Sequence, residues 1–320
     1  MEDAKIFCLK KVLDKKTMIS FIVSFGIIYL LLKEIDFKEV LTIGSNLDLP
    51  LYLLAIGIHY SSFYVRGLRW EKLLRDIKVK VSPTQATEMV FLSWFVNSIV
   101  PAKLGDIYRS HLLKKETRQS ISSSIGTIML ERVFDIALLL CLLSISGYLL
   151  FKDKMPQELS TSLGIGYLLL GTAVTGLFLL GVMKTRFLKI VPARFHSYLD
   201  NFHKGVFKSF SNKHTIIYLI VTTAIIWFIE SSRFFFVTKA MGLDLGIPVI
   251  IFVVLASSML TAIPLTPAGL GAVEVSIVFI LGIMGVDSNT GTAVALFDRL
   301  ISYWSVLLIG TIAYTLSSKT

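Results

Sequence analysis

The chain has 320 residues, of which 54% are hydrophobic and only 17% charged, with a mean hydropathy of +0.72 and a formal net charge of +10. Soluble domains carry nearer a quarter charged residues, so this balance excludes a water-soluble globule and places the chain in a membrane. The basic residues punctuate apolar segments instead of forming one soluble basic domain, which excludes a nucleic-acid surface and marks them as topology signals.

In chain order, basic residues precede an apolar run, Thr17–Leu32, with no A-x-A-like cleavage site after it. The run reads as an uncleaved first membrane helix. Apolar periods predict an all-α polytopic fold with about six full transmembrane helices near 17–33, 50–68, 119–150, 162–183, 214–239 and 290–317. Two more apolar segments, 84–116 and 247–286, are interrupted by Pro, Gly and charge and read as broken re-entrant hairpins. Cys8 and Cys141 are far apart, in no redox or metal spacing.

If each hairpin enters and leaves on one side, 24 of the 32 Lys and Arg fall in inner loops and 5 in outer loops. If the first segment crossed once, the most basic loop, Lys184–Lys213, would move outside. The positive-inside rule therefore selects hairpins, with both termini cytoplasmic, in a plasma membrane. In the stretch 186–212, Phe195, Leu199, Phe202, Val206 and Phe210 fall at helical spacing among Arg194, Lys204 and Lys208. This pattern predicts an amphipathic helix on the cytoplasmic surface, with His196 and His203 as interfacial side chains and no metal site.

A weak duplication runs through the chain. Pro101-Ala-Lys-Leu-Gly recurs as Pro267-Ala-Gly-Leu-Gly at an offset of 166; Glu131-Arg132 recurs as Asp298-Arg299, and Arg66 as Arg233, both at 167. With the topology above, the copies at approximately 50–150 and 214–317 run in opposite directions. Inverted halves with broken segments meeting near the midplane are the architecture of secondary transporters.

Charged residues within membrane segments cost about 2.5–3.5 kcal/mol each on insertion scales, so they require a partner or a wet cavity. Arg66 and Arg69 lie where snorkelling from a helix end serves equally well. Glu131 and Asp135 share a face at i, i+4, Arg132 reaches Asp135 at i+3, and Glu230 and Arg233 form a similar pair. Asp298 and Arg299 complete the set. Two readings follow: internal ion pairs, or a polar cavity for an anionic headgroup, which guanidinium groups suit through paired donors to phosphate. Amides freed at a helix break also bind anions; Asn97, Lys103, Asp106 and Arg109 surround the first break, Thr266 and Glu274 the second. No G-x-S-x-G, H-E-x-x-H or zinc spacing occurs, and Gly176–Thr185 only approximates a P-loop. No catalytic residue, cofactor or metal is expected.

Three stretches resemble the lysylphosphatidylglycerol synthase transmembrane region, or flippase-like domain, family: Asn97-Ser-Ile-Val-Pro101-Ala-Lys-Leu-Gly105-Asp106-Ile-Tyr-Arg109, Glu131-Arg132-Val-Phe-Asp135, and Pro264-Leu-Thr-Pro267-Ala-Gly269-Leu-Gly271-Ala-Val-Glu274, followed by Arg299. Where that family often has Arg and Glu in the first hairpin, this chain has Lys103 and Asp106. The resemblance implies transbilayer movement of polar lipids. The best-known members it resembles carry a separate aminoacyltransferase domain; with Thr320 just after the last expected helix, that domain is not expected here, nor is the chain expected to be an enzyme.

The combined expectation is a flippase or scramblase-like transporter of a lipid with an anionic or zwitterionic headgroup. It uses a charged cavity between two inverted hairpin repeats and acts alongside a separate lipid-modifying enzyme. The residues assigned to substrate binding and transport are Arg66, Asn97, Lys103, Asp106, Arg109, Glu131, Arg132, Asp135, Glu230, Arg233, Thr266, Glu274, Asp298 and Arg299. Two alternatives stay open: a membrane enzyme or subunit acting on a lipid-linked sugar or amino acid, and a small-solute or ion transporter.

Overall fold

Apolar side chains of a membrane-spanning chain face either lipid or the protein interior, and the helices sort by how much of their surface they turn outward. The computed structural model describes residues 14–33, 35–100, 103–152, 155–185, 191–210, 212–261 and 266–317. Cys8, Pro101 and Pro264 lie outside the described residues. Every regular element among the described residues is helical: α1 Lys15–Lys33, α2 Phe37–Ser45, α3 Leu49–Asp76, α4 Pro83–Ile99, α5 Leu104–Thr117, α6 Ile121–Phe151, α7 Gln157–Val182, α8 His196–Phe210, α9 Lys213–Ala240, α10 Ile247–Thr261, α11 Ala272–Ile283, α12 Ser288–Arg299 and α13 Ser305–Leu316. A five-residue π-helical stretch, Leu300–Trp304, joins α12 to α13.

A hydrocarbon core about 30 Å thick needs about 20 apolar residues of helix. By length and composition, four described helices meet that need: α6, α7, α9 and the joined run Ser288–Leu316; α1 and α2, bent by 90°, make a fifth if they form one span. The span expected at 50–68 is present as α3, 28 residues long, but its second half carries Arg66, Arg69, Glu71, Lys72, Arg75 and Asp76 and is too polar to count. The loop expected over 33–49 instead contains α2. Asp36 caps it by accepting from the Lys38 and Glu39 amides at 2.9 and 3.4 Å, and Gly44 lets the Phe297 ring lie against its backbone.

Two compact units emerge, neither a contiguous stretch of chain. The first comprises Met1–Ser62, Phe91–Gly105 and Phe228–Thr320; the second comprises Phe63–Val90 and Asp106–Trp227.

In the first unit, α10 and α11 fold back on one another as a hairpin and α11 packs along α12. Tyr52, Ala55, Val237, Ala240 and Ile301 form a buried cluster, and the Tyr52 hydroxyl donates to the Phe297 carbonyl at 2.8 Å.

In the second unit, Trp70 is fully buried and its indole N–H donates to Thr127 Oγ1 at 3.1 Å. α7 keeps Leu168, Leu169 and Phe178 more than 60% exposed, an arrangement that lipid tolerates and water does not. The amphipathic helix forms as α8, after a 3-10 turn at Ala193–Phe195. It packs on α6 where Gly205 and Gly126 meet: a Cβ on Gly205 would fall 2.1 Å from the Ser123 carbonyl oxygen.

Gly205→Ala therefore forces α8 off α6, with an expected loss of about 1–3 kcal/mol and a lower unfolding midpoint in detergent. Gly171→Ala, where a Cβ meets nothing within 4 Å, is expected to leave the midpoint unchanged or raise it. Equal midpoints for Gly205→Ala and wild type would contradict this packing.

Candidate functional site

The charged residues singled out in the sequence collect into two buried networks, one in each unit. In the second unit, α3 supplies Arg69, α5 supplies Asp106 and Arg109, and α6 supplies Glu131, Arg132 and Asp135. Arg69 grips Asp135 with two donors, Nη1 to Oδ1 at 2.5 Å and Nη2 to Oδ2 at 3.1 Å. Its Nε reaches Glu131 at 3.2 Å and Nη1 also reaches Thr223 at 2.8 Å. Glu131 thus sits between two arginines, because Arg109 Nη2 donates to its other oxygen at 2.9 Å while the Arg109 guanidinium lies 4.5 Å over the Trp70 ring. Arg132 makes a two-donor pair with Asp106, at 3.2 and 3.0 Å, and touches Asp135 at 3.5 Å. Arg66, one turn before Arg69, is buried and within electrostatic range of Asp135.

Exposure separates these pairs. The side chains of Arg69, Arg109 and Glu131 are 4% exposed or less, whereas Arg132 is 26% and Asp106 18% exposed. The Arg132–Asp106 pair is therefore the outer edge of this network.

In the first unit, Arg233 on α9 donates to Asp298 on α12 and, at 3.4 Å, to Glu230. His59 Nδ1 lies 3.8 Å from Glu230. Arg299 Nε donates to Glu274 at 3.0 Å, Nη2 donates to the Ala268 carbonyl at 3.2 Å, and the guanidinium stacks 4.9 Å over Tyr303. The pairs Arg132–Asp106 and Arg299–Glu274 are alike: each joins a helix arginine to a carboxylate 26 or 25 residues earlier, just after a break.

The breaks themselves are closed by side chains. The Gly105 amide donates to Asn97 Oδ1 at 2.8 Å, and the Gly271 amide donates to Glu274 Oε2 at 2.8 Å. The amides expected to be available for an anion at these two positions are held by the protein's own acceptors. The third position of the repeated Pro-Ala-x-Leu-Gly motif is left-handed in both copies, with φ of 53° at Lys103 and 73° at Gly269. Gly269 takes that conformation without cost; Lys103 accepts a strain of roughly 1–2 kcal/mol. Thr266 is buried beside the second break and its carbonyl accepts from the Gly269 amide at 3.3 Å.

Both breaks dock on one turn of the last helix. The Tyr303 hydroxyl donates to the Ser98 carbonyl at 2.9 Å, four residues after Arg299 holds Ala268. From that turn the hairpin arms diverge: Val278 lies against Gly291 toward the start of α12, and Phe95 against Gly310 and Tyr314 in α13. The tips of the two hairpins converge from opposite ends of a single helix.

The sequence reading left Arg69 as a side chain that could snorkel; it is 2% exposed and central to its network. Its signal was present, since one guanidinium spans two carboxylates spaced i, i+4 on a facing helix, as Glu131 and Asp135 are. His59, Trp70, Thr223 and Tyr303 carried no sequence signal beyond being polar or aromatic within apolar segments. Among the described residues, no group of three or more His, Cys, Asp or Glu side chains is placed to hold a metal ion.

The profile of the lysylphosphatidylglycerol synthase TM region family matches residues 17–310. A UPF0104 membrane protein of Methanocaldococcus jannaschii is 40% identical over 220 residues, covering 69% of this chain and 93% of that protein. Another, from Methanothermobacter thermautotrophicus, is 25% identical over 287 residues, covering 82% and 85%. A protein of Haloferax volcanii named glycosyltransferase AglD is 24% identical over 325 residues, covering 88% of this chain but 51% of its own length.

Removing Arg69 takes the two-donor partner from buried Asp135, which among the described residues keeps only Arg132 at 3.5 Å, and leaves Glu131 with Arg109 alone. Arg69→Ala is expected to cost about 3–5 kcal/mol of stability, and Asp135→Asn in the same chain to restore part of it. Arg132→Ala, at the exposed edge, is expected to cost clearly less. Unfolding midpoints in detergent measure both, and the reverse order would show that Arg132 is the deeper anchor.

Proposed function

The chain belongs to the lysylphosphatidylglycerol synthase TM region family of integral membrane proteins, and from that premise we propose that it moves a polar lipid across the bilayer. The observation that carries the reading is the exposure of Arg132 and Asp106 at the edge of an otherwise closed network. A phosphate offers the guanidinium the same two-acceptor face as Asp106, so a lipid headgroup takes that carboxylate's place on Arg132 while the displaced Asp106 keeps Arg109, whose Nη2 lies 3.8 Å away. Acyl chains remain in the bilayer while the headgroup is handed along arginines. Arg66, Arg109, Glu131 and Asp135 hold the geometry in one unit, and Arg233, Arg299, Glu230, Glu274 and Asp298 hold it in the other. Asn97, Lys103 and Thr266 shape the broken backbone that the cargo passes.

In this reading the stretches 50–150 and 214–317 are inverted half-repeats, both termini lie in the cytoplasm, the host is a plasma membrane, and a separate enzyme modifies the cargo. The convergence of both hairpin tips on the Arg299–Tyr303 turn supports the inverted arrangement. Single cysteines at Lys103 and Ala268, both partly exposed, in a chain without Cys8 and Cys141, are expected to label from opposite sides of sealed vesicles. Labelling from one side rules the arrangement out.

One observation favours a second reading, an enzyme or subunit acting on a lipid-linked sugar: the relative of Haloferax volcanii carries a glycosyltransferase name. That reading requires a covalently altered lipid after incubation with pure protein.

Transport is tested with headgroup-labelled lipids in proteoliposomes. The Arg132→Ala, Arg299→Ala double variant is expected to translocate roughly tenfold more slowly or worse, since charge-assisted hydrogen bonds contribute about 1.5–3 kcal/mol each. Rates equal to wild type would remove both arginines from the mechanism.

A further inference from the structure

His59 on α3 is 1% exposed and is the one buried histidine among the described residues. Imidazole gains and loses a charge near neutral pH, and an ionisable side chain within an apolar segment is the kind that transporters use for protons. Its Nδ1 lies 3.8 Å from Oε2 of Glu230 on α9, which is itself buried. The same oxygen is approached by Arg233 Nε at 3.4 Å, while Arg233 Nη1 donates to Asp298 on α12. One carboxylate oxygen therefore stands between two nitrogens, and both distances exceed the 2.7–2.9 Å or so of a close charge-assisted hydrogen bond. A protonated imidazole draws Oε2 toward Nδ1; a neutral one leaves it to Arg233. Asp298 keeps its hold on Arg233 in both states.

The other charged and titratable groups around this pair come from several helices. On α3, the Tyr60 ring meets His59 edge-on at 5.4 Å and its hydroxyl bonds Ser305 Oγ at 2.8 Å, while the Tyr52 hydroxyl is spent on the Phe297 carbonyl. Arg66 follows His59 by two turns on the same face of α3. α12 adds Arg299, which is taken by Glu274 of α11 at 3.0 Å. α4 sets Phe91 against Tyr60, and its one charged residue, Glu88, comes a turn earlier. Asp298 lies within electrostatic range of His59, Glu230, Arg233 and Arg299 together, so a charge gained at His59 is felt by the whole network of the first unit.

We propose that His59, with Glu230 as its counter-ion, binds one proton that travels with the lipid, which makes the chain a proton–lipid symporter. The proposal rests on the transport reading above and supplies its energy source. An anionic headgroup brings a negative charge to a buried place that solvates it poorly, and a proton taken up at His59 cancels that charge. The same proton draws Glu230 from Arg233, which turns the Nε donor of that guanidinium to the phosphate while Asp298 holds Nη1. One proton from the acidic side enters with one phosphodiester charge, and both leave on the other side. Only the imidazole N–H bond forms and breaks, and nothing is oxidised or reduced.

The test follows headgroup-labelled phosphatidylglycerol in proteoliposomes across a pH gradient, with the membrane potential clamped and protein-free vesicles as the blank. One coupled proton is expected to bias the label at steady state roughly tenfold per pH unit toward the leaflet facing the alkaline side. His59→Gln is expected to leave the label evenly distributed whatever the gradient. Proton uptake is read separately, without transport. Adding the same lipid to the purified protein in weakly buffered detergent near neutral pH is expected to take up as much as about one proton per chain, and none in His59→Gln. Glu230→Gln keeps the shape and removes the counter-ion; it is expected to behave alike and decides the matter if His59→Gln does not fold. Movement of lipid by the wild type without bias, a bias that survives in His59→Gln, or no proton uptake on adding lipid would each overturn the proposal. Proton uptake with no movement of lipid would instead remove the transport reading and leave His59 as the proton site.

Discussion

A guanidinium buried in hydrocarbon has to find a carboxylate, and most of this molecule is arranged around that requirement. Removing an ion from water costs several kcal/mol even after relaxation, and a close, two-donor partner offsets that cost. Arg69 with Asp135 and Arg132 with Asp106 are such partners. Their geometry fixes which faces α3, α5 and α6 present to one another. Arg233 with Asp298, and Arg299 with Glu274, do the same for α9, α11 and α12. Apolar packing fills the space around these pairs but does not choose the register, since leucine and lipid are equivalent solvents for a leucine.

The second constraint is backbone. A helix broken within a membrane leaves amides and carbonyls that lipid does not satisfy. Asn97 and Glu274 take amides after the two breaks, while Tyr303 and Arg299 take carbonyls before and within them. Arg299 and Tyr303 are four residues apart, about 6 Å along a helix axis. At that spacing both side chains lie on one face of the helix, which passes through the π-helical stretch Leu300–Trp304 between α12 and α13. Glu274 serves both constraints at once, pairing with Arg299 through one oxygen and with the Gly271 amide through the other. That double role ties the charge network to the hairpin tip, so a change at either is felt by the other.

Much of this was legible in the sequence, for physical reasons. Apolar length marks membrane helices, Pro and Gly mark the breaks, and charge in an apolar segment marks a network. The family resemblance rested on those same residues. What escaped was local or three-dimensional. The helix at Phe37–Ser45 depends on a single Asp36 cap and on contact with Phe297, neither visible at the scale of a membrane span. The Arg69 side chain lies near a helix end, where snorkelling and burial give one sequence pattern; only the facing Glu131 and Asp135 decide between them. The roles of Asn97 and Tyr303 concern backbone atoms, which have no sequence signature.

The same pairing that stabilises the fold limits where function can reside. A network closed on every side is scaffold, because exchanging any member strands a charge. Arg109, Arg69 and Glu131 are in that position. Arg132 is not: it keeps a path outward, and its partner Asp106 sits at the start of the helix that follows a break. In the proposed transport a phosphate would take the Arg132 face of Asp106, and Asp106 would fall back on Arg109, 3.8 Å away. Lysine, a compact point charge, would bind either anion but would not hold both oxygens while one partner replaced the other. The chemistry that makes the pair a sound anchor for Asp106 is therefore also what the proposed exchange with a headgroup would use.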